Sequence, residues 1–153
     1  RRAVLNFKFH NCGAYAELLS HEMVRSIKDV YRDREFDLVT CVPMHKDTLR
    51  KRGYNQAELL AKECARLLGI EYADLLAKTK KNKTQHSIKA AERAKNVIGV
   101  YSPIDKNLIK DKRILIIDDI ITTGSTLGEC ARILNKCKCG EICCCTLCTS
   151  LLI

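Results

Sequence analysis

The sequence predicts an α/β fold built on a doubly wound parallel sheet. Apolar runs of strand length alternate with segments of helical spacing in the order strand, helix, strand, helix, strand. This order is typical of parallel sheets that carry helices on both faces. The run Ile114–Ile117 is apolar without interruption, as expected of a strand buried on both sides. At 153 residues the chain is expected to form a single domain, residues 1–153, with an N-terminal segment over 1–35 and a core over 36–153.

The N-terminal third is predicted to hold a strand, a helix and a second strand. Alternating apolar residues in 1–9 favour a short strand, and apolar residues at helical spacing in 14–30 favour a helix. The apolar run over 36–42 predicts another strand, which Pro43 ends because proline cannot donate a ladder hydrogen bond.

A cluster of cations and a well-marked helix follow that strand. Asn55 is the predicted N-cap and Gly69 the predicted C-cap of a helix between them. Arg50, Lys51 and Arg52 precede it. They are interpreted either as a solvated basic turn or as phosphate-facing cations, since ligands of α/β sheets bind at the carboxyl ends of strands.

The middle of the chain is polar and basic. Residues 70–77 and 97–101 are predicted to form short strands on either side of it. The cation-rich stretch 78–96 is interpreted as a mobile lid or a disordered loop.

The central stretch Lys112–Thr126 carries the strongest functional pattern. We expect its strand to end before Asp118 and to present Asp118 and Asp119 at its carboxyl edge. The hydroxyl-rich turn Thr122–Thr126 and the N-terminus of a helix over 127–136 can hold a phosphate, while neighbouring carboxylates accept hydrogen bonds from sugar hydroxyls. A nucleotide P-loop needs a second glycine and a lysine, and a dinucleotide fingerprint needs three spaced glycines, so both are disfavoured. An ordinary strand–turn–helix is the remaining alternative.

Composition favours anionic partners without choosing between a polyphosphate and nucleic acid. The net charge is +9, with three Phe, five Tyr and no Trp, so base-stacking aromatics are scarce. No membrane-length apolar stretch and no secretory signal are seen, and the ten cysteines indicate a reducing cytoplasm. The late cysteines allow a zinc or redox site, but residues 142–149 also fit a strand whose successive thiols point to opposite faces. Buried thiols are therefore the favoured interpretation.

The central stretch resembles the phosphoribosyl-diphosphate (PRPP) motif of type I phosphoribosyltransferases: four apolar residues, two acids, two apolar residues and Thr-Thr-Gly-Ser-Thr. The resemblance implies the fold of that class, with Asp118 and Asp119 as catalytic residues on the ribose 2- and 3-hydroxyls. The loop implied for the 5-phosphate consists of Thr122, Thr123, Gly124, Ser125 and Thr126.

Most of the chain also resembles the ComF family, which is associated with competence and DNA uptake. The resemblance rests on Val42–His45, Arg50-x-Arg52-Gly53-Tyr54-Asn55-Gln56-Ala57, Thr84-Gln85-His86, Glu92-Arg93, Asn96-Val97 and Gly99. It implies a small hood that includes residues 1–10, a flexible lid over 78–96, and a diphosphate loop made of Pro43, Met44, His45 and Lys46. Many relatives begin with a four-cysteine zinc ribbon, which is either absent here or was removed.

The resemblance implies transfer of phosphoribose from PRPP, bound with Mg²⁺, to a nitrogen acceptor. The cations expected to neutralise the diphosphate are Lys46, Arg50, Arg52 and the cations of the lid 78–96, among them Lys83 and Arg93. Hypoxanthine-type enzymes carry aspartate where this chain has Thr122, so that salvage role is disfavoured, and an amine, an orotate-like base or another acceptor stays open. The alternative is a non-catalytic PRPP sensor or accessory of DNA uptake that contacts nucleic acid; whether the protein forms an oligomer is left open.

Overall fold

The computed structural model describes residues 12–80 and 97–149. The predicted strand and hood at 1–10 and most of the predicted lid, including Lys83 and Arg93, lie outside these residues. None of the helices in the described part of the chain has the length and apolarity that a membrane span requires. In chain order the elements are α1 (Cys12–Val30), β1 (Leu38–Cys41), α2 (Lys46–Arg52), α3 (Gln56–Leu68), β2 (Glu71–Tyr72), β3 (Leu76–Lys78), β4 (Tyr101–Pro103), α4 (Lys106–Ile109), β5 (Arg113–Ile121), α5 (Ser125–Lys136) and β6 (Glu141–Thr149).

The central sheet has four parallel strands in the order β2-β1-β5-β6. β5 is an interior strand and its residues alternate between two cores. Ile114 and Ile116 pack with α5 and the β3–β4 ribbon, whereas Leu115 and Ile117 pack with α1 and α3. All four of these side chains are fully buried. Apolar layers on both faces confirm the doubly wound α/β fold.

The boundaries differ from the sequence expectations at four places. Residues 70–77 divide into β2, which joins the main sheet, and β3, which pairs antiparallel with β4. The strand predicted at 97–101 is a turn that leads into β4. The basic segment before Gly53 is helix α2, which ends at that residue in the left-handed conformation, φ 87°. β5 does not end before Asp118 but continues to Ile121, because β6 remains paired with it that far.

The predicted caps of α3 are confirmed. Asn55 Oδ1 accepts a hydrogen bond from the Ala57 amide at 3.2 Å, which satisfies one of the free donors at the helix start. Gly69 ends the helix at φ 70°, and its amide bonds to the carbonyls of the last turn. Local sequence signals therefore determine where α3 begins and ends.

The cysteine-rich strand β6 is confirmed as a strand with thiols on both faces. Cys143 and Cys145 pack on the α1–α3 side, and Cys144 packs on the α5 side. Burial raises the pKa values of Cys144 and Cys145 to about 11, so both thiols are protonated near neutral pH. Every cysteine whose side chain the structure describes is a free thiol.

The turn before β6 requires glycine for a steric reason. A Cβ added at Gly140 would lie 2.9 Å from the backbone oxygen of Asp111, whereas a Cβ at Gly128, within α5, would meet nothing within 4 Å. Gly140→Ala is expected to destabilise the protein by about 1–3 kcal/mol, because the turn must move away from the Asp111 carbonyl. Gly128→Ala is expected to stabilise it by about 0.5–1 kcal/mol, because alanine is the better helix former. Urea denaturation of both variants measures the two effects, and equal stability changes would contradict the steric explanation.

Candidate functional site

Unequal strand lengths open a cleft at the carboxyl edge of the sheet. β1 ends at Cys41, opposite Ile117 on β5, and the Val42 amide donates the last bond across this pair to the Ile117 carbonyl at 3.0 Å. Pro43 has no amide hydrogen to continue the ladder. β5 goes on beside β6 until Ile121 pairs with Thr149. The four residues 118–121 therefore lie on a strand that has lost its neighbour on one side.

A cavity of about 310 Å³ occupies the gap. One wall comes from the free end of β5 and the start of α5, and the opposite wall comes from the chain after β1. The lining residues are Val42, Pro43, Met44, His45, Thr48, Arg52, Asn55, Gln56, Lys78, Tyr101, Asp118, Asp119, Ile120 and Thr126. The two acids and the segment after β1, which are distant in the sequence, thus line one recess.

Asp118 is a buried carboxylic acid, with 8% of its surface exposed. Burial, followed by the neighbouring charge of Asp119, raises the pKa of Asp118 to about 7. Its Oδ1 accepts a hydrogen bond from the Asp119 amide at 2.9 Å, and Asp119 Oδ1 accepts one from the Ile120 amide at 2.9 Å. Among the residues that the structure describes, no cation lies within ion-pair distance of either acid. The two carboxyl groups therefore line the cleft without a direct ion pair in this part of the chain.

The turn that follows β5 exposes the amino end of α5. Gly124, the N-cap of this 12-residue helix, adopts φ 73° and has no side chain to cap it. The Ser125 amide makes a long hydrogen bond to Thr123 Oγ1 at 3.5 Å. Thr123 Oγ1 and Ser125 Oγ are 2.8 Å apart, which sets two hydroxyls side by side at the mouth of the turn. A second, small cavity of about 20 Å³ is lined by Asp118, Ile120, Ile121, Thr122, Gly124, Ser125, Thr126 and Leu127. The turn therefore offers hydroxyl and amide donors to an anion next to Asp118.

The segment after β1 separates this cleft from a larger cavity of about 530 Å³. Pro43, Met44 and His45 line both cavities, whereas Lys46 lines only the larger one. His45 is buried, and its Nδ1 accepts a hydrogen bond from the Asp47 amide at 3.2 Å, so it caps α2. The predicted diphosphate loop is thus partly divided between two recesses.

The cations named from the sequence have different positions. Arg52 lines the cleft, but Arg50 is exposed on α2 and lines neither the cleft nor the cavity of about 530 Å³. Lys83 and Arg93 fall outside the described residues. Of the two candidate arginines on α2, the structure therefore brings only Arg52 to the acids.

Two further residues line the cleft: Lys78, which is the first residue of the predicted lid 78–96, and Tyr101, for which the sequence predicted no role. They are partners in the β3–β4 ribbon, and Lys78 Nζ lies 5.4 Å from the centre of the Tyr101 ring. Burial lowers the pKa of Lys78, while Tyr101 shares a side-chain hydrogen bond with Thr126. The sequence did not predict that they meet, because antiparallel pairing across 22 intervening residues, 79–100, brings them together.

A protein-family comparison bears directly on this cleft. The family model described as "Phosphoribosyl transferase domain" matches residues 55–151, which include the α3 wall, the acids and the hydroxyl turn. The chain belongs to the phosphoribosyl transferase domain family. This confirms the family resemblance drawn from the central stretch.

Curated relatives of this phosphoribosyl transferase domain confirm the ComF resemblance. The chain is 31% identical over 144 residues to Competence protein F of Haemophilus influenzae, which covers 91% of this chain and 63% of that protein. It is 30% identical over 122 residues to Competence protein ComFC of Streptococcus pneumoniae, which covers 80% of this chain and 49% of that protein. The domain therefore spans about half to two thirds of the length of these relatives.

Solved structures show the same fold. The adenine phosphoribosyltransferase of Saccharomyces cerevisiae, solved with adenine and an imino-altritol bisphosphate, matches with a TM-score of 0.58 at 15% identity. The match covers 91% of this chain and 70% of that one. At this identity the likeness concerns the fold of the phosphoribosyl transferase domain, which is the type I fold predicted from the sequence.

Proposed function

We propose that this domain binds PRPP with Mg²⁺ and transfers its phosphoribosyl group to a nitrogen acceptor with release of diphosphate. One observation carries the proposal: paired carboxylates and the hydroxyl-rich start of α5 line two adjoining parts of one recess, the cleft and the small cavity, which share Asp118, Ile120 and Thr126. A sugar phosphate needs acceptors for its hydroxyls and donors for its phosphate, and this recess offers both.

The proposed orientation of PRPP follows from the two walls. The ribose 2- and 3-hydroxyls donate to Asp118 and Asp119, and the 5-phosphate is bound by the turn Thr122–Thr126. The diphosphate then extends across the gap toward Pro43, Met44, His45 and Arg52, on the wall that follows β1. Lys46 lines only the larger cavity, and its predicted role in the diphosphate loop stays a prediction. Arg50 keeps at most an outer role, and roles for Lys83 and Arg93 stay predictions.

Magnesium is part of the proposal, and the donor set fits it. Mg²⁺ is usually held by one or two carboxylates together with substrate phosphates and water. Asp118 and Asp119 supply carboxylates in the cleft. Within the described residues no three His, Cys, Asp or Glu side chains are grouped to hold an ion, and an ion held mainly by PRPP oxygens and water needs no such group. Asp118 and Asp119 would hold the ion together with PRPP and water, and its positive charge would offset the charge of the diphosphate.

The proposed transfer replaces one bond of the anomeric carbon, to oxygen, with another, to nitrogen. The bond from that carbon to the diphosphate oxygen breaks and its electron pair leaves with the diphosphate. The acceptor nitrogen then forms the new carbon–nitrogen bond and loses its proton to water. Asp118 and Asp119 hold the ring in position through its hydroxyls, and Arg52 stabilises charge on the leaving group, so catalysis is positional and electrostatic. The free thiols support a reducing cytoplasm as the site of this activity.

A second candidate is supported by the printed names of the relatives. Both are called competence proteins, and the net charge of +9 on this chain favours anionic partners such as DNA. In this case the cleft acts as a PRPP sensor rather than a transferase. Binding of single-stranded DNA that weakens steeply with salt and changes with PRPP, without diphosphate release, would favour the sensor.

Binding of PRPP is the first test of both candidates. At a PRPP–magnesium concentration of one hundred times Kd, the folded state gains about 2.7 kcal/mol. For a domain of this size the melting temperature is then expected to rise by about 5–10 °C. Diphosphate release in the presence of amines and nucleobases separates transferase from sensor. Unchanged melting at millimolar PRPP and Mg²⁺ would contradict both candidates.

A further inference from the structure

Gln56 contains an unsatisfied buried donor. The residue is 1% exposed and is the first residue of α3. Its Oε1 accepts a hydrogen bond from Arg52 Nη1 at 3.0 Å. Its Nε2 is the one buried side-chain nitrogen or oxygen without a hydrogen-bond partner in the part of the chain that the structure describes. The side chain lines the cleft that also contains Asp118 and Asp119.

An orphan donor at this position is costly unless a ligand uses it. Buried polar groups in folded proteins are nearly always hydrogen-bonded. An unpaired buried amide loses its hydrogen bonds to water, and no hydrogen bond within the protein replaces them. The carboxamide cannot simply be reversed, because its oxygen already accepts from Arg52. Gln56 lines the cleft and its one unsatisfied polar atom is a donor, so the group that satisfies it must be a hydrogen-bond acceptor.

The position of Gln56 indicates which part of a bound sugar phosphate would accept the hydrogen bond from Nε2. The acids and the hydroxyl turn stand on the β5 wall, whereas Gln56 and Arg52 stand on the wall that follows β1. A ribose fastened to Asp118 and Asp119, with its 5-phosphate on the turn, has its anomeric substituent across the gap. An anionic oxygen of that substituent suits a donor-only pair of amide and guanidinium groups.

We propose that Gln56 is a specificity-determining residue whose Nε2 donates a hydrogen bond to the diphosphate on the anomeric carbon, with Arg52 fixing the orientation of its amide. The proposal rests on the proposed function and adds to it a basis for ligand selectivity. The pair selects a sugar phosphate that carries an anomeric diphosphate over one that carries a free anomeric hydroxyl. The two probes that represent these classes are PRPP and ribose 5-phosphate.

The experiment compares two substitutions at Gln56 by calorimetric titration. Gln56→Glu keeps the shape and the acceptor for Arg52 but replaces the donor with a carboxylate oxygen. Gln56→Met removes both polar atoms. Arg66→Met, at the exposed end of the same helix, is the matched control. PRPP with Mg²⁺, inorganic diphosphate with Mg²⁺, and ribose 5-phosphate alone are titrated into each protein.

Both Gln56 variants are expected to bind PRPP at least tenfold more weakly, with a parallel loss for inorganic diphosphate. Affinity for ribose 5-phosphate is expected to stay within about twofold of the native value, because that ligand never reaches Nε2. Gln56→Met is expected to melt no lower than the native protein, since it removes an unsatisfied buried atom. Arg66→Met is expected to bind all three ligands normally.

Two results would overturn the proposal. The first is native PRPP affinity in both Gln56 variants. The second is an equal loss for PRPP and ribose 5-phosphate together with a lower melting temperature, which would mark Gln56 as a structural residue. Failure of the proposed function is distinguishable, because the native protein itself would then bind neither PRPP nor ribose 5-phosphate.

Discussion

The double variant Asp118→Asn/Asp119→Asn is expected to bind PRPP with Mg²⁺ at least a hundredfold more weakly than the native protein. Hydrogen bonds to charged groups contribute about 1.5–3 kcal/mol each, and two of them are weakened together. About 3 kcal/mol corresponds to roughly a hundredfold in Kd. The carboxamide oxygen introduced by Asp118→Asn can still accept a hydrogen bond from the next backbone amide, so the local backbone geometry should survive. Isothermal titration measures the loss, and circular dichroism confirms that the fold is retained.

A matched control removes the same charge elsewhere. Asp29 and Asp33 are exposed near the end of α1, and neither lines the cleft. Asp29→Asn/Asp33→Asn is therefore expected to bind PRPP as the native protein does. If both double variants lost affinity equally, the loss would reflect overall charge rather than contacts in the cleft, and the proposed ribose site would be wrong.

Asp118→Asn alone is expected to stabilise the ligand-free protein at pH 8 by about 2–4 kcal/mol. The pKa of Asp118 is raised in the folded state to about 7, because the charged form is buried beside Asp119. Between pH 4 and pH 7 the folded state thus keeps a proton that the unfolded state has released. The free energy of unfolding of the native protein therefore falls as pH rises through this window, by about 1.4 kcal/mol per unit of pKa difference at most. Asparagine does not titrate and avoids this loss.

Urea denaturation at several pH values measures the effect. The stability difference between Asp118→Asn and the native protein should be near zero at pH 4 and should grow until about pH 8. The same titration predicts that PRPP binds the native protein more tightly as pH rises through 7, since the ionised carboxylate is the better acceptor. A stability difference that is constant with pH would contradict the raised pKa of Asp118.

Local chemistry in the sequence predicted much of this fold. The apolar run 114–117, the caps Asn55 and Gly69 and the alternating thiols of β6 are all set by residues within a few positions of one another. The hydroxyl turn and the adjacent acids were likewise recognisable, because one continuous stretch carries them. The family match over residues 55–151 agrees with that interpretation.

Features that depend on distant pairings could not be predicted. Asp118 was expected at a strand end, yet β5 continues because β6, more than twenty residues later, stays paired with it. Lys78 reaches the cleft only through its pairing with Tyr101. The unsatisfied Nε2 of Gln56 could not be predicted either, because its burial and the hydrogen bond from Arg52 to its Oε1 arise only in the packed structure. In each case a tertiary neighbour decides the role of the residue.

The stagger between β1 and β5 has a consequence for how this domain can diverge. The recess exists because one backbone stops at Cys41 while the adjacent one runs on to Ile121. The shape of the recess is thus set by the backbone, and the side chains only line it. Replacing these side chains would change which ligands the recess accepts, while the shape that the two backbones give it stays the same. If β1 were two residues longer, its backbone would pair with β5 beyond Ile117 and occupy the recess, whatever side chains surrounded it.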